Sequence, residues 1–305
     1  MAEVILHLGA HGTDNGMISA WLDRNAAVIA RGGTLVMPSR RFLQRLSQSL
    51  TDLGDAPGEA DRRAFGDELG LGGHITRLAV SAPALLGPPG ESISAEGFYA
   101  RDATRRLRAL GKLLPRDVSL TLALAIARPG AVVPALLAAQ EPEPERDEIE
   151  ARLEWLPEET LPWATLVRHI RHELPRARML VWRHESIPRI WPEVLSRLVG
   201  AGEDSGMDLP VGGAEDFAMQ GIAEAGRQRM RDYIARKPPP TPALMQRVAA
   251  AFAQGYGRTL PGAAGTEGSA VALPGAVRER LARLDEGYAA QWSAIAGMDR
   301  VEVLG

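Results

Sequence analysis

Short apolar runs alternate along this chain with longer segments in which apolar residues recur every three or four positions. Val4-Ile5-Leu6 opens the series and predicts a strand through Leu8. Met17, Ile18, Trp21, Leu22, Val28 and Ile29 then fall in one stripe at a helical period, which predicts a helix over about 17–31 closed by Gly32-Gly33. Asn25 lies inside that stripe and reads as a satisfied polar residue of the core. Thr34-Leu35-Val36-Met37, stopped by Pro38, reads as a second strand and Arg77–Ser81 as a third. Asp117–Ile126 is almost wholly apolar, as a strand covered on both faces should be, and Arg178–Trp182 reads as a fifth. Helical patterns fill the intervals at about 40–77 (broken at Gly54-Asp55-Ala56-Pro57-Gly58), 99–114, 162–174 and 189–199. After Gly200 the chain reads as mostly helical, at about 213–236, 242–254 and 274–296. Lys237-Pro238-Pro239-Pro240 and the stretch from Pro261 to Gly268 separate these pieces. A long Gly/Pro/Ser-rich loop is expected from Pro83 to Gly97, and an acidic solvated connector over 141–159.

Strands alternating with helices predict an α/β fold, a three-layer parallel sheet with helices on both faces and helical C-terminal elaborations over about 205–305. The whole of 1–305 reads as one domain. Ligands of open parallel sheets sit beyond the carboxyl ends of the strands, near the point where strand order reverses. That rule places residues 9–16, 81–98, 127–130 and 183–187 around one crevice.

Composition narrows the classes. The 305 residues carry a net charge of −3, which gives no electrostatic reason to expect nucleic acid. There is no cysteine, so disulfide and thiolate chemistry are excluded. No apolar run approaches the ~20 residues of a membrane helix, and Met1-Ala2-Glu3 lacks the basic start of a secretory leader. A cytoplasmic protein without membrane association is expected, with a small-molecule ligand or a protein partner both open. The cations are arginines except for Lys112 and Lys237.

The stretch with most chemical content is His7-Leu8-Gly9-Ala10-His11-Gly12-Thr13-Asp14-Asn15-Gly16. Strand, glycine-rich loop and helix in succession form a phosphate cradle, because loop N–H groups and a helix N-terminus both favour an anion. This loop has no lysine, and Asp14 sits where a phosphate would approach.

The arrangement resembles the bacterial sulfotransferase family, which uses 3′-phosphoadenosine 5′-phosphosulfate (PAPS) on a P-loop-type fold. Leu6 to His11 resembles the family's opening strand and loop. Trp21-Leu22-Asp23-Arg24-Asn25 with Gly32-Gly33 and Pro38 resembles its first helix and second strand. Tyr99–Leu110 followed by Asp117–Pro129 resembles the helix and strand that lead to its 3′-phosphate arginine, here Arg128. Leu161–Leu166 with Met179–Glu185 resembles a late helix–strand pair, and Leu273–Val303 the last helix and tail. The resemblance implies a cofactor loop at Gly9, His11, Gly12, Thr13, Asp14, Asn15 and Gly16, with PAPS or its product adenosine 3′,5′-bisphosphate (PAP) as ligand. The departures fall at functional positions. The family loop, Gly-x-x-Lys-Thr-Gly-Thr-Thr, places its lysine at Gly12 and its Gly-Thr-Thr at Asp14-Asn15-Gly16, so only Thr13 survives. The serine expected eight residues after Arg128 is Leu136, and Ser81-Ala82-Pro83 offers no base. These losses predict an altered or lost phosphosulfate loop, in an altered enzyme or in a ligand- or partner-binding pseudoenzyme.

Other chemistry is readable in the same residues. His11 and Asp14, three apart, resemble the ligand pair of zinc-dependent deacylases, with His74 or His184 as a third ligand; the cofactor loop remains the preferred role. His184 beside Glu185, after a strand, is a candidate base oriented by a carboxylate, and His11 a candidate for direct ligand contact. His169 and His172 read as solvated. Asp14 has a third role that needs no ligand, as a cap for the helix that begins near Met17.

Overall fold

The computed structural model describes residues 2–53, 57–89, 92–94, 97–99, 102–138, 151, 153–154, 162–202, 206–257 and 273–305. The breaks expected at 54–56 and at Pro261–Gly268, and nearly all of the acidic connector, lie outside these residues. Six strands form one parallel sheet: β1 (Glu3–His7), β2 (Thr34–Val36), β3 (Arg77–Ser81), β6 (Ser119–Ile126), β7 (Arg178–Arg183) and β8 (Val301–Leu304). Their order is β2-β3-β1-β6-β7-β8. Strand β1 is therefore central, hydrogen-bonded in parallel to β3 on one side and β6 on the other. The chain leaves β1 toward β2 and β3, then crosses back to β6, so the strand order reverses beside the loop that follows His7.

Alternation within each strand builds two cores. Val4, Leu6, Val80, Leu122, Leu124 and Val181 face one layer of helices, which includes α2 (Ser39–Leu53), α4 (Asp102–Leu113), α5 (Pro129–Ala138), Pro162–Glu173, Gly275–Glu286 and Tyr288–Ala296. Ile5, Ala79, Ala123, Ala125, Leu180 and Trp182 face the other layer, which includes α1 (Met17–Arg31), Ile187–Val199, Glu224–Arg236 and Pro242–Tyr256. On this second face the sheet presents alanines, and the freed volume is filled by Trp21, Trp182 and Trp191, each at most 1% exposed. Large residues against small ones give dense packing without strain.

Helix α1 spans the expected residues and buries Ile18, Trp21, Leu22, Asn25 and Ile29. Asn25 is satisfied as expected, donating to Trp21 O at 2.8 Å and Gly212 O at 2.9 Å. Val28 departs from the expected stripe and is 42% exposed. Four elements were not anticipated. Helix α5 begins with Pro129 at its first turn and continues through Pro134. A small antiparallel pair joins β4 (Ile93–Ser94) to β5 (Gly97–Phe98) within the expected loop. The short β8 extends the sheet beside β7, where a simple tail was expected. The expected helices at 274–296 and 213–236 are each divided, the first at Gly287 and the second between Ala218 and Glu224. Among the described residues no helix is long and apolar enough to cross a membrane.

Candidate functional site

The loop after β1 stays on the sheet for three more residues. Leu8 N–H donates to Ala123 O, Ala10 N–H to Ala125 O, and Ala125 N–H to Gly9 O. It then turns sharply through Gly12 (φ 76°), Asn15 (φ 47°) and Gly16 (φ 79°) into α1. A left-handed turn of this kind favours glycine. Gly12 is constrained a second time, since a Cβ there would stand 2.5 Å from Ala135 Cβ on α5. A side chain at this position would be strained by the backbone and would force Ala135 to shift.

Asp14 occupies the place an anion would take. Its carboxylate accepts the N–H of Ile18 at 3.1 Å and of Gly16 at 3.3 Å, and it is 8% exposed. Thr13, 1% exposed, donates its hydroxyl to Ala10 O at 2.6 Å and closes the turn from inside. The orphan donors at the start of a helix are usual anion ligands. Here the chain satisfies them itself, which is the capping role open to Asp14 from its position.

The same pattern recurs at α5. Glu185 Oε1 accepts Arg128 N–H at 3.0 Å and Asp285 Oδ1 accepts Gly130 N–H at 2.9 Å. Glu185 Oε2 also accepts the hydroxyl of Tyr288 at 3.1 Å. The guanidinium of Arg128 lies 5.9 Å from the centre of the Tyr288 ring, within the field of Asp285. The positive field of this cation is shared with Asp285, and Glu185 occupies the backbone N–H beside it. Burial pushes the Asp285 carboxyl up, opposed by its bond from Gly130 and by Arg128. Burial also pushes the Tyr288 hydroxyl far up, a shift the Glu185 charge reinforces.

Three histidines surround Asp14 electrostatically. His7, fully buried at the end of β1, pairs its Nδ1 with Ser81 Oγ at 2.9 Å and stacks on Trp182 with ring centres 5.9 Å apart. His7 Nε2 has no hydrogen-bond partner among the described residues. His11 is held by Tyr99, whose hydroxyl oxygen accepts the His11 N–H at 3.2 Å and lies 3.0 Å from Nδ1. Burial holds His7, His11 and His184 below the ordinary imidazole range, and the Asp14 charge opposes that shift in all three. Burial raises the Tyr99 hydroxyl to about 12, so it remains protonated at neutral pH.

The structure thus brings Gly9, His11, Gly12, Thr13, Asp14, Asn15 and Gly16 to the carboxyl edge of the sheet, with Arg128 and Glu185 beside one another. His74 precedes β3 and lies at the opposite edge, so it is not a partner for His11. Among the described residues no group of three or more histidines and carboxylates could hold a metal ion. His172 is exposed and His169 half-buried, away from this edge on the Pro162–Glu173 helix. Sequence reasoning missed His7, Tyr99, Trp182, Asp285 and Tyr288. A histidine ending a buried strand was a readable signal for His7; the others are far apart in the chain and have none.

Two cavities lie at the opposite, amino edge of the sheet. One of about 870 Å³, whose lining includes Glu3, Thr34, Arg77, Thr121 and Glu302, opens at the amino edge of the sheet. Its floor is neutralised: Glu3 accepts from Arg77 at 2.8 and 2.9 Å and from Thr121 at 2.7 Å.

Fold and site together define a parallel three-layer α/β protein with a self-capped glycine loop at its topological switch point. No family model matches the chain, and no curated protein matches it.

Proposed function

We propose that the protein is a sulfotransferase-type, P-loop-like scaffold whose phosphosulfate loop has become a structural element, and that it acts as a binding protein without sulfuryl-transfer chemistry. One observation carries this reading: the Asp14 carboxylate holds the N–H groups of Gly16 and Ile18 that a cofactor phosphate would need. Three others support it. A loop lysine at Gly12 would be strained by the backbone and would force Ala135 to shift. The Arg128 guanidinium lies over Tyr288 in the field of Asp285, and its backbone N–H is held by Glu185. Ser81 is 4% exposed and bonded to the buried His7, so the segment after β3 presents no accessible base. Losing the lysine and the anion-binding N–H groups removes several charge-assisted bonds, each worth about 1.5–3 kcal/mol.

Titration calorimetry with PAP tests this directly. The wild-type protein should give no binding heat at millimolar ligand. Asp14→Gly should free the helix N-terminus and raise the affinity for PAP or inorganic phosphate. A micromolar dissociation constant for PAP in the wild type would overturn the reading.

A further inference from the structure

The amino edge of the sheet carries a second cavity that the reading above leaves unused. It is a groove of about 520 Å³ between the C-terminal ends of α4 and the Pro162–Glu173 helix, beside the starts of β6 and β7. Leu114, Pro115, Leu120 and Leu174 line it with apolar surface. Arg108, Lys112, Arg116, Arg176, Arg178 and Arg300 surround that surface, and among the described lining residues Glu173 is the only acid. Glu173 is taken up by a two-pronged contact with Arg108. Arg116 stands 4.0 Å from Glu59 and Arg300 3.8 Å from Asp299. Arg176 and Arg178 are exposed and have no ion-pair partner among the described residues.

This combination selects a ligand by exclusion. A small inorganic anion would meet the arginines and leave the leucine floor wet. A neutral apolar molecule would cover the floor and strip water from cations without supplying a counter-charge, which is costly. A molecule with an apolar body and one anionic head satisfies both parts. Guanidinium groups take carboxylate, sulfate or phosphate heads in a bidentate fork, and the groove volume falls in the ~300–1,000 Å³ range of small-molecule sites. We propose that this groove binds an amphiphilic organic anion, its body against Leu114 and Leu174 and its head held by Arg176. The proposal does not depend on the fate of the glycine loop, which lies at the other edge of the sheet.

Fluorescence and calorimetric titration of the full chain with 1-anilinonaphthalene-8-sulfonate provides the test, with N-phenyl-1-naphthylamine as the uncharged counterpart. The sulfonate should bind one saturable site, and the amine at least about tenfold more weakly. The variant Arg176→Ala should lose about tenfold or more in sulfonate affinity while melting as the wild type does. Leu174→Gln, changing the floor and none of the cations, should also weaken binding. Unchanged affinity in the arginine variant, equal affinity for the uncharged amine, or the absence of a saturable site would each overturn the proposal. A PAP signal that responds to Asp14→Gly and not to the arginine variant reports on the glycine loop, so the two readings fail separately.

Discussion

The two edges of the central sheet handle charge in opposite ways. At the carboxyl edge, two helix N-termini point into the region where open parallel sheets hold ligands, and the chain's own carboxylates occupy both. Asp14 caps α1, while Glu185 and Asp285 cap α5. At the amino edge, Arg176 and Arg178 stand without acidic partners beside an apolar groove. One edge has spent its electrostatic capacity internally, and the other retains it. Topology therefore indicates where a ligand site is easiest to build, while the pairing of individual charges decides whether a site remains available.

Substitutions should separate the edges by their effect on stability and on binding. The largest stability effect is expected for Trp182→Ala, which empties the space against His7 and among the alanines of β6. It should cost about 3–5 kcal/mol in denaturant unfolding. A cost below ~1 kcal/mol would show that the carboxyl edge is loosely packed and could open for a ligand. Glu185→Ala should follow, at about 1–3 kcal/mol, because the Arg128 N–H and Tyr288 hydroxyl both lose an acceptor. Asp14→Ala should cost about 0.5–2 kcal/mol, the usual value of a lost cap. Full stability in Asp14→Ala would remove the structural role assigned to this carboxylate. Arg176→Ala should stay within about 0.5 kcal/mol of the wild type. Its effect should appear in ligand affinity alone.

Acid should act on the carboxyl edge first. His7, His11 and His184 have folded pKa values below their ordinary 6.5, so the unfolded chain binds more protons as pH falls through that value. The stability they permit is complete above 6.5 and declines as the pH drops toward the folded values. Asp285, raised by burial, works in the opposite sense at lower pH: its folded form keeps a proton more readily than the unfolded one. Unfolding free energy measured from pH 7.5 to pH 5 should therefore fall, and His7→Gln should flatten the upper part of that slope. A slope unchanged by His7→Gln would place the proton uptake on the other two histidines.

Much of the framework was readable from periodicity. The strand at 77–81 and the helix at 17–31 have the expected bounds, and β1 is central and parallel. Local pattern suffices for such elements because their apolar residues repeat at the period of one secondary structure and face one core. It fails where two patterns overlap. Helix α5 carries prolines at 129 and 134 and is apolar on all sides, so no stripe distinguishes it from a loop. Strand β8 has four residues and pairs with β7 as its only partner strand among the described residues.

For the site, the sequence by itself determined the glycine loop, its lack of a lysine and the acid two residues after Gly12. It also determined that Asp14 stands at a helix start, where capping requires nothing but local geometry. Only the tertiary structure decided that Ala135 closes the space at Gly12, that Tyr99 holds His11, and that Asp285 and Glu185 neutralise the start of α5. It also gathered the arginines of α4, β7 and the approach to β8 around one groove. Those contacts join residues up to 155 positions apart, from Gly130 to Asp285. Charge pairing over such separations is set by the order of strands and the packing of layers, and no local pattern encodes it.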